Sequence, residues 1–556
     1  MRTTVEIKRE YTRWLKNAHA LTAELSNMDN GDIEDAFYRD LAFGTGGLRG
    51  TIGAGTNRMN EYVVAKASQG LANYLLSKSS SPSAVIGYDS RIKSNVFAKV
   101  AAGVFAANGI IVHIWPELLP VPTVSYAVRA LHTDAGVMIT ASHNPAKYNG
   151  YKVYGPDGCQ ITTEAADAIL SKIETIDIFD GVKSVDYDSA FAAGMIKQIS
   201  ETVLTEYIEE VKRQSVLFGD HINRDTAIVY SPLNGTGLKP VMRALSETGF
   251  SNITVVEEQR FPDGKFPTCP YPNPEIREAM ELGLAYCRKT GADLLLATDP
   301  DCDRCGIAVR DGNDYKLLTG NEVGLLLLDY ICSQRQKHGK MPAHPVLIKT
   351  IVTIDLAEKI AAHYGVKTVN VLTGFKFIGE VIGRMEAEGR ISDYICGFEE
   401  SYGYLTGSYV RDKDAVNAAF MICEMFAYFK TRGVSLLDKL QEIYANYGYC
   451  LNTLHSYEFS GSVGMAKMQE IMQRFRSEAD SFGGNTVESY IDYSLGIDDL
   501  PKTDVVKLQL ANGCSVVIRP SGTEPKLKVY ISVTANEKTY AAKQEEQIVK
   551  SIEELL

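Results

Sequence analysis

The sequence predicts a multidomain α/β protein, and three observations carry that expectation. Its 556 residues exceed one ordinary core, and at roughly 150 residues per domain they suggest about four, with clefts between them. Short apolar strands followed by polar or glycine-rich loops and helical patterns recur along the chain, the alternation of open α/β sheets whose ligands sit beyond the strand ends. From residue 449 the character changes: strand-like runs at 515–518 and 527–533 flank a loop, with helices before and after. A smaller C-terminal α+β domain fits there, after three α/β domains with mixed sheets.

Residues 1–40 read as a helical lead-in, with Trp14, Ala18, Leu21 and Leu25 at helical spacing and the glycines of 44–50 ending the run. The first α/β domain, 41–205, carries a strand at 84–88, the loop Asp89-Ser90-Arg91 and a helix through Phe105. The second, 206–319, has a strand at 226–230 before Asn234-Gly235-Thr236-Gly237 and another at 293–298 before an acidic loop. The third spans 320–448 around a strand at 346–350, and the fourth spans 449–556. No short-period repeat or low-complexity tract interrupts this order.

A net charge of −12 argues against a broad nucleic-acid footprint, so an anionic ligand must be held by local basic clusters. The N-terminus lacks an apolar secretion core, and no stretch reaches the roughly 20 apolar residues that span a bilayer. Ten scattered cysteines favour a reducing cytoplasm and ordinary buried thiols.

Four polar loops can carry chemistry. Thr140-Ala141-Ser142-His143-Asn144-Pro145 follows the apolar run 136–139 and can expose Ser142 as a nucleophile at a sheet edge; a polar turn is the plainer alternative. A hydrolase elbow is excluded because its glycines would fall at Thr140 and Asn144. Asp299-Pro300-Asp301-Cys302-Asp303-Arg304 puts three carboxylates at alternate positions, which can converge on one hard cation and would repel without it. A calcium hand fails, since Arg304 and Arg310 stand where its glycine and last glutamate belong. Magnesium suits so short a loop better. The Cys-x-x-Cys of Cys302 and Cys305 has no second pair to complete a zinc site.

The third loop, Arg519-Pro520-Ser521-Gly522-Thr523-Glu524-Pro525, offers a guanidinium, hydroxyls and an open backbone to a phosphate dianion. A hairpin turn would leave Arg519 and both hydroxyls without a reason. In the fourth, Gly397-Phe398-Glu399-Glu400-Ser401-Tyr402-Gly403, carboxylates and a hydroxyl can read sugar hydroxyls, though an exposed acidic turn explains it equally. Gly44-Thr45-Gly46-Gly47-Leu48-Arg49-Gly50 matches neither a dinucleotide fingerprint nor a nucleotide phosphate loop.

In this order the four loops resemble the motifs of the α-D-phosphohexomutase superfamily, over almost the whole chain. Gly-Thr-Gly-Gly-Leu-Arg-Gly and the N-terminal helix are similar to its phosphoglucomutase/phosphopentomutase-like branch. The resemblance implies four domains around a central cleft and, residue by residue, a phosphoserine at Ser142 sharing a magnesium ion with Asp299, Asp301 and Asp303. It implies His143, Lys152, Arg49 and Arg304 around the transferring group. Lys152 would be the general acid/base, a role demanding that its ordinary pKa of about 10.4 be lowered. Arg91, Thr373, Gly374, Lys376, Glu399 and Ser401 would bind substrate, while Arg519, Ser521, Gly522 and Thr523 would clamp the phosphate that does not react. Cys302, in place of a smaller residue, and the flanking Phe398 and Tyr402 leave the sugar open.

The implied activity is reversible interconversion of glucose 1-phosphate and glucose 6-phosphate, primed by and passing through glucose 1,6-bisphosphate. A phosphomannomutase or phosphopentomutase would use the same chemistry; a sugar phosphatase and a non-catalytic sugar-phosphate sensor are the other readings. Small sugar phosphates are the expected partners, with neither nucleic acid nor membrane, and the expected assembly is a monomer or small homo-oligomer.

Overall fold

The computed structural model describes residues 1–556 apart from 45, 460, 478–479, 498–499 and 521–525, and at 461–465 it describes the backbone alone. The chain forms two compact units. The first comprises Met1–Leu318, Ile378–Tyr394 and Tyr402–Tyr428; the second comprises Thr319–Phe377, Ile395–Ser401 and Phe429–Leu556.

Helices Thr4–Asn17, Thr22–Ser26 and Asn30–Phe37 open the first unit. Capping boxes start the first and third, pairing Thr3 with Glu6 and Asp29 with Asp32, which satisfies end N–H groups that the helix cannot. Trp14 is fully buried and shares one apolar core with Ile7, Leu25 and Phe37 and with the strand residues Ile86, Val112 and Val137. The lead-in is therefore part of the first α/β layer's core. The glycine-rich segment that ends the helical run pairs Phe43–Gly44 with Gly47–Thr51 at the sheet edge.

That hairpin begins a seven-stranded mixed sheet, continuing through Tyr148–Tyr154, Ala135–Ile139, Ser83–Tyr88, Ile111–Ile114 and Ile196–Gln198. Ala135–Ile139 is buried at every position, as a strand covered on both faces must be. It runs antiparallel to Tyr148–Tyr154, which pairs in turn with Gly47–Thr51, so the serine loop, Lys152 and Arg49 share one end of the sheet.

A second sheet of the first unit orders Asp314–Leu318, Cys305–Asp311, Leu294–Thr298, Ile228–Ser231 and Ile253–Val255. The aspartate loop leads into the antiparallel neighbour Cys305–Asp311, with Thr298 opposite Cys305, so its ends are pinned to each other.

In the second unit, Lys367–Val371 pairs in parallel with Val346–Thr350, in a sheet that also holds Tyr394–Phe398. Six antiparallel strands follow, in the order Tyr449–Glu458, Lys526–Ala535, Ser515–Pro520, Val506–Leu510, Asn485–Asp492 and Ser481–Phe482. Helices Gly461–Ser477 and Lys538–Glu553 cover this sheet, burying Phe475 and Ile548 against Val516 and Val529. Three mixed α/β sheets and a sheet-rich C-terminal domain are the predicted fold class. Among the described residues no helix is long and apolar enough to cross a membrane.

Candidate active site

Ser142 lies three residues beyond the buried strand Ala135–Ile139 and takes the left-handed conformation, φ 53°. For a residue with a Cβ this costs on the order of 1–2 kcal/mol, so its surroundings must hold it. Its N–H donates to Thr140 Oγ1 at 2.8 Å, and Arg91, 3% exposed, reaches the loop from behind. Arg91 donates to the carbonyls of Ser142 and Asn144, and to those of Pro145 at 3.0 Å and Tyr148 at 3.1 Å. Expected at the substrate, this guanidinium is instead committed to backbone.

The aspartate loop wraps around Asp299. Its Oδ1 accepts the N–H groups of Asp303 at 3.1 Å and Arg304 at 3.0 Å, while Cys302 N–H donates to the Asp299 carbonyl at 2.9 Å. Asp299 Oδ2 is left to Ser142 Oγ, which donates to it at 2.9 Å. The predicted nucleophile and the predicted metal loop, 157 residues apart in sequence, are thus in contact.

Asp299, Asp301 and Asp303 are buried, and one ligand oxygen from each lies within 4.8 Å of the others. Burial, reinforced by Asp301 and Asp303, pushes Asp299 well above the usual carboxylate range. Oδ1 of Asp301 and Oδ1 of Asp303 are buried without a hydrogen-bond partner. Crowded carboxylates with orphaned oxygens are costly unless a cation satisfies them, so this donor set fits a hard divalent ion.

Lys152 Nζ donates to Asp301 Oδ2 at 2.9 Å and to Asp303 Oδ2 at 3.2 Å. Burial works to lower its pKa, but the attraction of Asp301 and Asp303 outweighs that and leaves it raised. The lowering expected of a general base is opposed here by the pairing of Nζ with Asp301 and Asp303. Burial opposes ionisation of Asp303, yet Lys413, Lys152 and Arg304 drive its pKa well below the usual range.

His143 Nδ1 lies 3.2 Å from Ser142 Oγ. Burial and the cations Arg304 and Arg49 push its pKa far down, so the ring is neutral near pH 7. Arg49 Nη1 donates to Asn144 Oδ1 at 3.3 Å. Arg304 pairs with Glu275 at 2.5 Å and has its Nε 3.9 Å from Asp303.

Sequence reasoning missed Lys413, whose Nζ lies 2.9 Å from Asp303 Oδ2. The run Arg411-Asp412-Lys413-Asp414 before the apolar helix Ala415–Thr431 was its only signal, and such a run reads as a solvated helix start. Cys302 and Cys305, expected to be ordinary thiols, are buried and free.

Within the second unit, Glu399 is buried and Ser401 half-buried at the end of Tyr394–Phe398. Glu400 Oε2 accepts from Thr350 Oγ1 at 3.4 Å. Thr373 Oγ1 is buried without a partner, Gly374 follows with φ 119°, and Lys376 sits over the Phe377 ring at 4.7 Å. One apolar cluster joins Ile351, Val352 and Leu372 of the third domain to Tyr493, Val517 and Tyr530 of the fourth. The Tyr530 hydroxyl is pushed up to about 12 by burial and by Glu400, against the opposing effect of its partner Arg519. Arg519 is thus near the glutamates of the sugar motif, while Ser521, Gly522 and Thr523 lie outside the described residues.

Four family descriptions match in succession: "Phosphoglucomutase/phosphomannomutase, alpha/beta/alpha domain I" over 40–178, domain II over 205–312, domain III over 319–447 and the C-terminal domain over 472–551. A phosphoglucomutase of Staphylococcus saprophyticus is 36% identical over 535 residues, covering 94% of this chain and 96% of its own. One from Staphylococcus aureus strain MRSA252 is 36% identical, with 94% and 95% covered. Among solved structures, the open form of the Paramecium phosphoprotein parafusin, a phosphoglucomutase, superposes with TM-score 0.73 at 19% identity, over 93% of this chain and 95% of its own. A phosphoglucomutase/phosphomannomutase family protein of Burkholderia thailandensis gives 0.69 at 17%, over 92% and 97%. At such identities these two speak for the fold alone.

Proposed function

Since the chain belongs to the phosphoglucomutase/phosphomannomutase family, we propose that it interconverts glucose 1-phosphate and glucose 6-phosphate through phospho-Ser142 and a glucose 1,6-bisphosphate intermediate. The observation that carries this reading is the 2.9 Å contact between Ser142 Oγ and a buried aspartate triplet. The 36% identity to phosphoglucomutases over 94% of the chain supports glucose as the sugar.

The triplet and Ser142 would hold magnesium, which when bound supplies positive charge to the phosphoryl oxygens. In the first half-reaction the free hydroxyl oxygen of the sugar monophosphate takes the phosphorus and the Ser142 Oγ–P bond breaks. The proton lost by that hydroxyl is balanced by one gained at Ser142 Oγ. Lys152 would serve as the acid/base of this exchange, giving a proton toward Ser142 Oγ as the Oγ–P bond breaks and recovering the one the sugar hydroxyl loses. Neutral His143, 3.2 Å from Oγ, is placed to hand the serine proton over or take it back. Arg49 and Arg304 add cations beside the transferring group, as the field they impose on His143 indicates. The bisphosphate then turns end for end, and the reverse steps return the second phosphoryl to Ser142.

We assign the sugar hydroxyls to Glu399 and Ser401 with Thr373, Gly374 and Lys376, and the unreactive phosphate to Arg519 with Ser521, Gly522 and Thr523. Domain limits at 41–205, 206–319, 320–448 and 449–556 belong to the same proposal, as do a monomeric or small homo-oligomeric assembly and a cytoplasmic setting, the last supported by ten free, buried cysteines. The test is turnover of glucose, mannose and pentose 1-phosphates with glucose 1,6-bisphosphate, with and without a magnesium chelator. Metal-dependent turnover favouring glucose is expected. Release of inorganic phosphate outrunning isomerisation would make it a phosphatase instead.

A further inference from the structure

Arg91 has no proton left for a substrate on its terminal nitrogens. Nη1 and Nη2 carry two each, and the four meet the carbonyls of Ser142, Asn144, Pro145 and Tyr148. Its Nε faces Asp89 at 3.4 Å. What remains is the flat face of the guanidinium, and Phe266 of the second α/β domain occupies it, ring centroid 5.2 Å from Cζ. Phe266 is 1% exposed and holds φ at 48°.

The segment bearing Phe266 presses on Arg91 with its backbone too. Gly264 forms a bridge with Arg91. A Cβ on Gly264 would lie 2.5 Å from Ile92 N, 2.6 Å from Ser90 O and 2.8 Å from Arg91 C. All three are backbone atoms that cannot swing aside, so the approach requires glycine.

The other end of the same segment is tied to the support of the aspartate loop. Asp263 N–H donates to Asn234 O at 3.0 Å, and Asn234 Nδ2 returns a bond to Phe261 O at 2.9 Å. Two residues on, Thr236 donates to Pro300 O through its N–H at 2.9 Å and its hydroxyl at 3.0 Å. Pro300 stands between Asp299 and Asp301.

We infer that residues 261–266 form a strap fixing the reach from Ser142 to the aspartate loop, with Arg91 and Phe266 as positioning residues for phosphoryl transfer, an inference that rests on the phosphoserine reading above. The strap spans the front contact between Ser142 and Asp299 a second time, from behind. Arg91, backed by the strap, also holds Ser142 in its left-handed conformation by fixing the carbonyls of Ser142, Asn144 and Pro145. In-line transfer is sensitive to misplacement of about 1 Å, which can cost on the order of 100-fold, so slackening the strap slows chemistry without touching the sugar.

The test compares wild type, Arg91→Lys and Phe266→Leu. Arg91→Lys keeps the charge but loses the fork; Phe266→Leu keeps an apolar filler but loses the ring face. Each is expected to lower kcat by roughly 10- to 100-fold, with KM for glucose 1-phosphate changed by less than about threefold. The rate at which glucose 1,6-bisphosphate phosphorylates Ser142 falls by the same factor. Should Arg91→Lys fail to fold, Phe266→Leu decides, because it removes no hydrogen bond. A raised KM with kcat kept would make Arg91 a substrate ligand and overturn the inference, as would full kcat in Phe266→Leu. Amide exchange over 142–148 supplies a readout free of substrate: faster exchange in Phe266→Leu is expected, and unchanged exchange overturns the strap. If wild type does not interconvert glucose phosphates, the functional reading falls and the exchange result still judges the strap.

Discussion

At Lys152 burial and charge pull in opposite directions, and charge wins because Asp301 and Asp303 both lie within 3.2 Å. A smaller pair on the surface gives a cleaner test of such coupling. Arg13 of the first helix grips Asp177, and that bond holds the carboxyl at about 2, below its usual value, with two loop N–H groups assisting. A depressed folded-state pKa adds stability that is complete above about pH 4 and lost as pH falls through about 2. Asp177 is 42% exposed on its side chain, so solvent screens the pair and its contribution is modest. The melting difference between wild type and Arg13→Gln should therefore be largest near neutrality and shrink between pH 4 and 2; a difference constant across that window would contradict the assignment. Ser142 and the aspartate triplet were legible in the sequence because each sits in a short segment whose composition has no other comfortable explanation. Arg91 was not: its role is set by carbonyls 51 to 57 residues away, and nothing in Asp89-Ser90-Arg91 tells a backbone clasp from a phosphate ligand.

Among the elements, the helix Ala415–Thr431 fixes the aspartate loop from outside through its first turn. Asp414, fully buried, accepts N–H bonds from Val416 at 2.9 Å and Asn417 at 3.0 Å, capping the helix. It also takes the hydroxyls of Tyr207 at 2.8 Å and Tyr409 at 2.7 Å. The first N–H of the helix, on Ala415, donates to Cys302 O at 3.2 Å inside the metal loop. Asp414→Ala removes a cap and strands two buried phenols, which should cost about 3–5 kcal/mol. Urea unfolding monitored by tyrosine fluorescence measures it, and a loss below about 1 kcal/mol would show that the phenols find other partners. The cap was not legible in the sequence, since Tyr207 joins from a helix 207 residues earlier. The aspartate loop taught a similar lesson: an apolar strand and an acidic turn are visible, whereas the antiparallel return at Cys305–Asp311 depends on pairing that no local pattern encodes.

For the molecule as a whole, the order of four motifs along the chain foretold four domains, and four family descriptions match in that order. Packing follows other lines. The third and fourth domains share the cluster around Leu372 and Tyr530, and the first and second belong to one unit. Apolar periodicity reveals that a face is buried but not which domain buries it. A cation that binds the folded triplet and not the unfolded chain must stabilise the first unit, by about 2.7 kcal/mol at a hundredfold excess over Kd. Magnesium should accordingly raise the melting temperature of wild type and leave Asp301→Asn unmoved; equal shifts in both would place the ion elsewhere. The central claim is that Ser142 stores the phosphoryl group that the sugar receives. Peptide mass mapping after incubation with glucose 1,6-bisphosphate, followed by a chase with glucose 1-phosphate, tests it most directly. One phosphoryl group should appear on Ser142, leave into sugar bisphosphate during the chase, and be absent from Ser142→Ala; stable phosphate on another residue, or full turnover by Ser142→Ala, would contradict the account.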